Sequence, residues 1–250
     1  MATQPAQTPA KARMRLTMRL AAGAAVAGAV TVPLLGLLLL VEGKNERLES
    51  LDLGIAADLN SWALGHPSVV RLLLVLQDVL NPNTFRALAL IAAIALWRSG
   101  ARQLALWAVV TTAAGALLGV VLKQLVHRAR PTFADPVAVA GSFSFPSGHA
   151  LGSFLGAGVL LVIVLPVLSR RARALAWSAA VGVVLLTGFD RIALGVHFVS
   201  DVLAGWIAAA AVLAGTATAF GTWRGTRRRP GGLDPAGSRR LARTVSQPDR

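Results

Sequence analysis

The chain has 250 residues, of which 55% are hydrophobic and only 14% charged, with a formal net charge of +14 and a mean hydropathy of +0.62. A soluble domain carries nearer a quarter charged residues, so this composition excludes an ordinary water-soluble globule. The absence of cysteine excludes a disulfide framework and any thiolate site, and the four histidines show no HExxH-type spacing for a metal.

Taken in chain order, residues 1–19 are polar and basic, with Lys11, Arg13, Arg15 and Arg19, and read as a disordered tail. Leu20–Val41 is an uncharged run of 22 residues. At about 1.5 Å per residue it covers a hydrocarbon core of roughly 30 Å. It is too long for a signal-peptide core and no A-x-A-like cleavage site follows it, so it reads as a retained span. Residues 42–83 begin acidic, with Glu42, Glu46, Glu49, Asp52 and Asp58. Within them Ser68–Leu80 is apolar but too short to cross, and is expected to lie on the interface or dip into it. Phe85–Trp97 crosses only if Arg86 snorkels and the helix extends backward. Leu104–Leu125, His149–Leu168, Ala174–Phe189 and Val202–Phe220 complete the set. The predicted fold is an all-α, polytopic membrane bundle of about six transmembrane helices. A membrane-embedded domain at 20–220 lies between two basic tails, the second being a flexible segment at 221–250.

Charge sets the expected orientation. Arg98 and Arg102 separate spans two and three, and Arg170, Arg171 and Arg173 separate spans four and five. Both tails are basic, with Arg224, Arg227, Arg228 and Arg229 opening the second. The positive-inside rule makes these segments and both termini cytoplasmic. Such juxtamembrane charge fits anionic lipid better than nucleic acid, and no nucleic-acid partner is expected. The segments 42–83, 126–148 and 190–201 then face outside. Cations placed there need another reason, and an anionic ligand supplies one.

Three segments carry chemistry: Lys123 with Arg130 and Pro131; Pro146–Ser147–Gly148–His149; and Arg191 with His197 and Asp201. Alternation of spans brings all three to one face of the membrane. Lys123, Arg130 and Arg191 are three cations suited to phosphate oxygens. Ser147 and Gly148 open a helix, where free N–H groups and the helix dipole favour an anion. His197 and Asp201 are four residues apart and share a face if the last helix starts early. The carboxylate can then hold one tautomer of the imidazole. His149 is a second imidazole, free to act as an acid. Taken singly, each segment has a bland reading as an interfacial anchor, a helix cap or a structural polar pair. Polar groups in a membrane protein are costly, however, and their convergence argues for function. His66 and His127 have no such partners, and Arg128 falls outside the core set as either a further cation or an anchor.

These motifs resemble those of the type-2 phosphatidic acid phosphatase superfamily, whose active site is similar to that of the vanadium haloperoxidases. The family signature is K-x6-R-P, then P-S-G-H, then S-R-x5-H-x3-D. Here the motifs read KQLVHRARP, PSGH and DRIALGVHFVSD over residues 123–201. One position departs, with Asp190 where the family has serine; it would repel a phosphate or pair with Arg191. The resemblance implies that His197 attacks phosphorus, Asp201 orients it and His149 serves the leaving oxygen and then water. It implies that Lys123, Arg130, Ser147, Gly148 and Arg191 bind the phosphate, with no metal and no cofactor. The expected function is hydrolysis of a membrane lipid phosphate or pyrophosphate of the undecaprenyl pyrophosphate, phosphatidylglycerol phosphate or phosphatidic acid type. A lipid phosphotransferase and a non-catalytic phospholipid binder or transporter stay open. The expected location is a bacterial cell membrane with the site facing outside; the oligomeric state is unspecified.

Overall fold

A computed structural model describes residues 9–221. Among them are eight α-helices and no strand: α1 (Pro9–Glu42), α2 (Glu46–Leu64), α3 (Pro67–Val79), α4 (Pro82–Arg98), α5 (Arg102–Val126), α6 (Gly148–Val164), α7 (Arg170–Ala193) and α8 (Val199–Phe220). Six segments are long and apolar enough to cross a membrane, at Leu20–Glu42, Pro67–Arg98, Arg102–Val126, Gly148–Val167, Arg170–Ala193 and Val199–Phe220. The protein is a multi-pass membrane bundle. The expected tail at 221–250 lies outside the described residues except for Gly221, and so do residues 1–8.

The outer face carries the signature of a lipid solvent. Leu117, Leu125 and Leu175 are 65%, 69% and 71% exposed, which only an apolar surrounding tolerates over so many positions. Inside, small residues let helices approach closely. A Cβ on Gly23 of α1 would lie 2.8 Å from the Gly215 carbonyl of α8. A Cβ on Gly205 of α8 would lie 2.7 Å from the Ser147 carbonyl at the start of α6. Helix α8 is thus the centre of the bundle, packed against α1, α5 and α6.

Several element boundaries differ from the sequence reading. Helix α1 begins at Pro9, so residues 9–19, expected to be irregular, continue it. Extending an existing helix adds a hydrogen bond per residue without a new nucleus, and this stretch is rich in good helix formers. The stretch Pro67–Arg98 is two helices, in keeping with the separate reading of Ser68–Leu80 and Phe85–Trp97. Helix α3 stops before Asn81, whose side chain caps α4, and Pro82 opens the new helix. A residue before proline is pushed out of helical geometry, which accounts for the break. The crossing helix does extend back beyond Phe85, and Arg86 stays exposed, donating to Asn83 at 2.7 Å. Helix α7 runs on to Ala193, so Asp190 and Arg191 belong to its last turn rather than to a loop. Only Leu194–Phe198 separates α7 from α8.

Candidate active site

The site forms where α5, α6, α7 and α8 end or begin on one side of the bundle. Helix α5 stops at His127, which takes left-handed backbone with φ +48°. The segment that follows folds back on itself: the Ser144 amide and hydroxyl donate to the Arg128 and Ala129 carbonyls, each at 2.9 Å. Lys123, in the last turn of α5, donates to the Phe143 carbonyl. Ser147 then caps α6, accepting from the Ala150 amide at 3.4 Å. Its own amide donates to the Asp201 carbonyl at 2.9 Å. That bond ties the second motif to the third.

The turn after α7 delivers His197. Gly195 supplies positive φ, +69°, against Phe133, and the His197 amide donates back to the Arg191 carbonyl at 3.2 Å. His197 precedes α8 rather than riding on it, a correction to the expected shared helical face. Asp201 sits in the first turn of α8 and reaches back instead. Its Oδ2 accepts from the Phe198 amide at 3.0 Å and lies 3.4 Å from His197 Nδ1. A carboxylate favours this place because it satisfies a free amide at a helix start.

The partners of His197 define its tautomer. Asp201 can only accept, so Nδ1 carries the proton. Arg130 Nη1 can only donate and lies 3.0 Å from Nε2, so Nε2 offers a lone pair. Burial is the largest effect on this imidazole, and the charges of Arg130 and Lys123 act with it. Together they outweigh Asp201 and lower its pKa from 6.5 to about 4. The ring is therefore neutral at physiological pH, with its basic nitrogen aimed at the cations.

Arg130 fans out over the segment that precedes α6. It donates to the Ser142 carbonyl at 3.0 Å, the Gly141 carbonyl at 3.1 Å and the Val196 carbonyl at 2.6 Å. Burial pulls its pKa below the ordinary guanidinium value; Asp201 opposes this and Arg191 adds to it. Gly148 opens α6 with no atom within 4 Å of where a Cβ would lie. Free space therefore adjoins a helix start in a region crowded with positive charge.

Arg191 and His149 meet on a different partner. Arg191 donates to Asp190 Oδ2 and, at 2.9 Å, to the Gln77 side chain on α3. His149 Nε2 lies 3.3 Å from the Gln77 backbone carbonyl. The eight site residues expected from sequence thus cluster, with Arg191 and His149 on the α3 side and Lys123, Arg130 and His197 beside the segment before α6. Asp190 pairs with Arg191, one of its two expected behaviours, and its second oxygen is buried without a hydrogen-bond partner.

A family model of the PAP2 superfamily, the family these motifs resemble, matches residues 104–224. Residues 104–224 belong to the PAP2 superfamily. Among curated relatives, phosphatidylglycerophosphatase B of Bacillus subtilis is 44% identical over 93 residues, which is 36% of this chain and 45% of that protein. An undecaprenyl-diphosphatase of Sulfolobus acidocaldarius is 30% identical over 113 residues, 42% of this chain and 50% of that protein. The chain spans about half the length of the curated relatives it matches. The crystal structure of a transmembrane PAP2-type phosphatidylglycerolphosphate phosphatase from Bacillus subtilis aligns with a TM-score of 0.66 and 23% identity. It covers 79% of this chain and 97% of the other, and shows a shared fold.

Three residues that the sequence reading left outside the site set join it in the structure. Arg128, left outside the core set, donates to Asp201 Oδ1 at 2.7 Å, to the Ser200 hydroxyl at 2.6 Å and to Asp52 at 2.8 Å. Asp52, on α2, is 2% exposed and also accepts from the Ser200 amide and hydroxyl. Gln77, on α3, holds both Arg191 and His149. The one available signal was burial cost: a carboxylate in a segment between spans needs a partner. His66 and His127 have local roles, His66 against the Trp62 carbonyl and His127 edge-on to Phe143.

Proposed function

We propose that this chain hydrolyses a membrane lipid phosphate or pyrophosphate through a phosphohistidine. The observation that carries the reading is the His197 imidazole, oriented by Asp201 at Nδ1 with its Nε2 lone pair facing Arg130. In the first step the Nε2 lone pair attacks phosphorus and the bond to the lipid oxygen breaks. His149 gives that oxygen a proton. In the second step a water attacks the phosphohistidine, neutral His149 takes the water's proton, and the P–N bond breaks to restore Nε2. Arg130, Lys123 and Arg191, with the Gly148 amide, bind the three equatorial oxygens, where phosphoryl transfer needs stabilisation most. Asp201 stabilises the imidazolium character that develops on His197.

The fold favours a lipid substrate. An apolar cavity of about 860 Å³ lies between α6, α7 and α8, lined by Phe154, Leu161, Val184, Leu185, Trp206 and Leu213 among others. It runs along α7 from Leu185, six residues before Arg191, toward Trp177 and Arg173. A tail can stay in such apolar surroundings while its headgroup reaches the cations. The named activities of the relatives suggest phosphatidylglycerol phosphate and undecaprenyl pyrophosphate as the first substrates to try.

The deciding experiment is phosphate release from these two lipids and phosphatidic acid by purified protein in detergent with EDTA. Wild type is expected to release phosphate and His197→Ala to release none. Turnover that EDTA abolishes and Mg²⁺ restores would remove the metal-independent reading. Equal release by the two proteins would remove the nucleophile.

A further inference from the structure

We propose that Asp52 is a positioning residue for the histidine nucleophile, acting through Arg128 on Asp201. The inference rests on the phosphatase reading and assigns a role to α2, which contributes nothing to the motif set. The chain of contacts is complete at every atom. Asp201 divides its oxygens: Oδ2 serves His197 Nδ1 and the Phe198 amide, and Oδ1 accepts from Arg128 Nη1 at 2.7 Å. Arg128 divides its fork likewise, Nη1 to Asp201 and Nη2 to Asp52 Oδ2 at 2.8 Å. Asp52 Oδ1 accepts from the Ser200 amide at 3.0 Å, and its Oδ2 also accepts from the Ser200 hydroxyl. The Arg128 guanidinium lies 4.3 Å over the Phe198 ring, which limits its movement. Asp52 and Asp201 are 2% and 0% exposed.

The electrostatics explain why a second carboxylate is needed. Arg128 alone on Asp201 would satisfy that carboxylate and weaken its hold on the imidazole. With Asp52 present, Arg128 is shared between two carboxylates. It fixes the rotation of Asp201 while leaving Oδ2 for His197. A planar fork suits this place, because two carboxylates are bridged from one group, Nη1 to Asp201 and Nη2 to Asp52. Asp52 therefore sets the direction of Nε2 without touching substrate.

A purely structural Asp52 would tether α2 to α8 and nothing more, and the two roles separate in a double-mutant cycle. The measurement is kcat and KM for the best of the three lipids, with wild type and His197→Ala alongside. Asp52→Asn is expected to lower kcat by on the order of tenfold with KM little changed. In an Asp201→Asn background the same change is expected to cost nothing further. Arg128→Lys, which keeps the charge and loses the fork, is expected to behave the same way and stands in if Asp52→Asn does not fold. Equal losses in both backgrounds, or wild-type kcat in Asp52→Asn and Arg128→Lys, would overturn the proposal.

If wild type turns over no more lipid than His197→Ala, the phosphatase reading fails by itself. The Asp52 assignment is then decided by proton NMR of the His197 Nδ1–H, identified by its loss in His197→Gln. Asp52→Asn, or Arg128→Lys in its place, is expected to move that signal in the wild-type background. An unmoved signal overturns the assignment.

Discussion

At the scale of single residues, His197 combines burial with an unusual set of neighbours. Its ring faces a carboxylate on one side and two cations on the other, and its pKa falls from 6.5 to about 4. A nucleophile must be neutral at Nε2, so the acid limb of kcat/KM should fall near pH 4 rather than near 6.5. A pH–rate profile in detergent checks this, and a limb near 6.5 would show a ring far more solvated than it is here. The same shift has a sign for stability. The unfolded chain takes up a proton at this ring near pH 6.5 and the folded chain only near 4, so stability contributed here is lost as pH falls between those values. Asp190 makes a second residue-level case. It replaces the family's serine and occupies two donors of Arg191, which a phosphate must then compete for. Asp190→Ser should free that fork and lower KM for lipid phosphate severalfold, read from initial rates across a concentration series. Arg128 marks the limit of reading residues from sequence. It lies inside the first motif's spacer, where the pattern leaves identity open. Its role depends on Asp52, 76 positions away. No local spacing can show such a pair.

At the scale of elements, the motifs are legible because each is short and sits at a helix end, where proline, serine and glycine have fixed meanings. Ser147 as the cap of α6 follows from its type, and so does the break at Pro82. The start of α8 was less legible. The span reading began it at Val202, and a shared face for His197 and Asp201 required a start before His197; the helix begins between the two, at Val199, where Asp201 caps the Phe198 amide from inside the first turn. Helix α2 was not legible as a contributor at all. The sequence showed only an acidic stretch between spans and singled out none of its residues, whereas Asp52 turns inward. The packing of α8 on α6 yields a further test. A methyl on Gly205 would meet two backbone atoms, the Ser147 carbonyl at 2.7 Å and the Leu151 amide at 3.0 Å. Neither can rotate away, so Gly205→Ala must push the helices apart. The cost is about 1–3 kcal/mol, seen as a lower Tm in detergent. Because Ser147 donates its amide to the Asp201 carbonyl, activity should fall more than stability alone explains. A variant with a lowered Tm and full kcat would show that the α6–α8 spacing does not govern the site.

At the scale of the whole molecule, the open quantity is which side of the membrane the site faces. The bundle separates its charge by end. Arg98, Arg102 and Arg170 mark the end away from the site, and positive charge in short connections favours the cytoplasm. The motif cations Lys123, Arg130 and Arg191, with Arg128, are occupied by the Asp52, Asp190 and Asp201 carboxylates, by backbone carbonyls and by the His197 ring. They therefore weigh less in setting orientation than the exposed arginines opposite. This balance predicts a site facing away from the cytoplasm. The native chain holds no cysteine, so single thiols can be introduced without background. Val139, in the segment before α6, is 87% exposed, and Val167, in the connection between α6 and α7, is 83% exposed. In intact cells, a membrane-impermeant maleimide should label Val139→Cys and reach Val167→Cys only after permeabilisation. The reverse pattern would put the site in the cytoplasmic leaflet, and any lipid it dephosphorylates would then have to be supplied from that side.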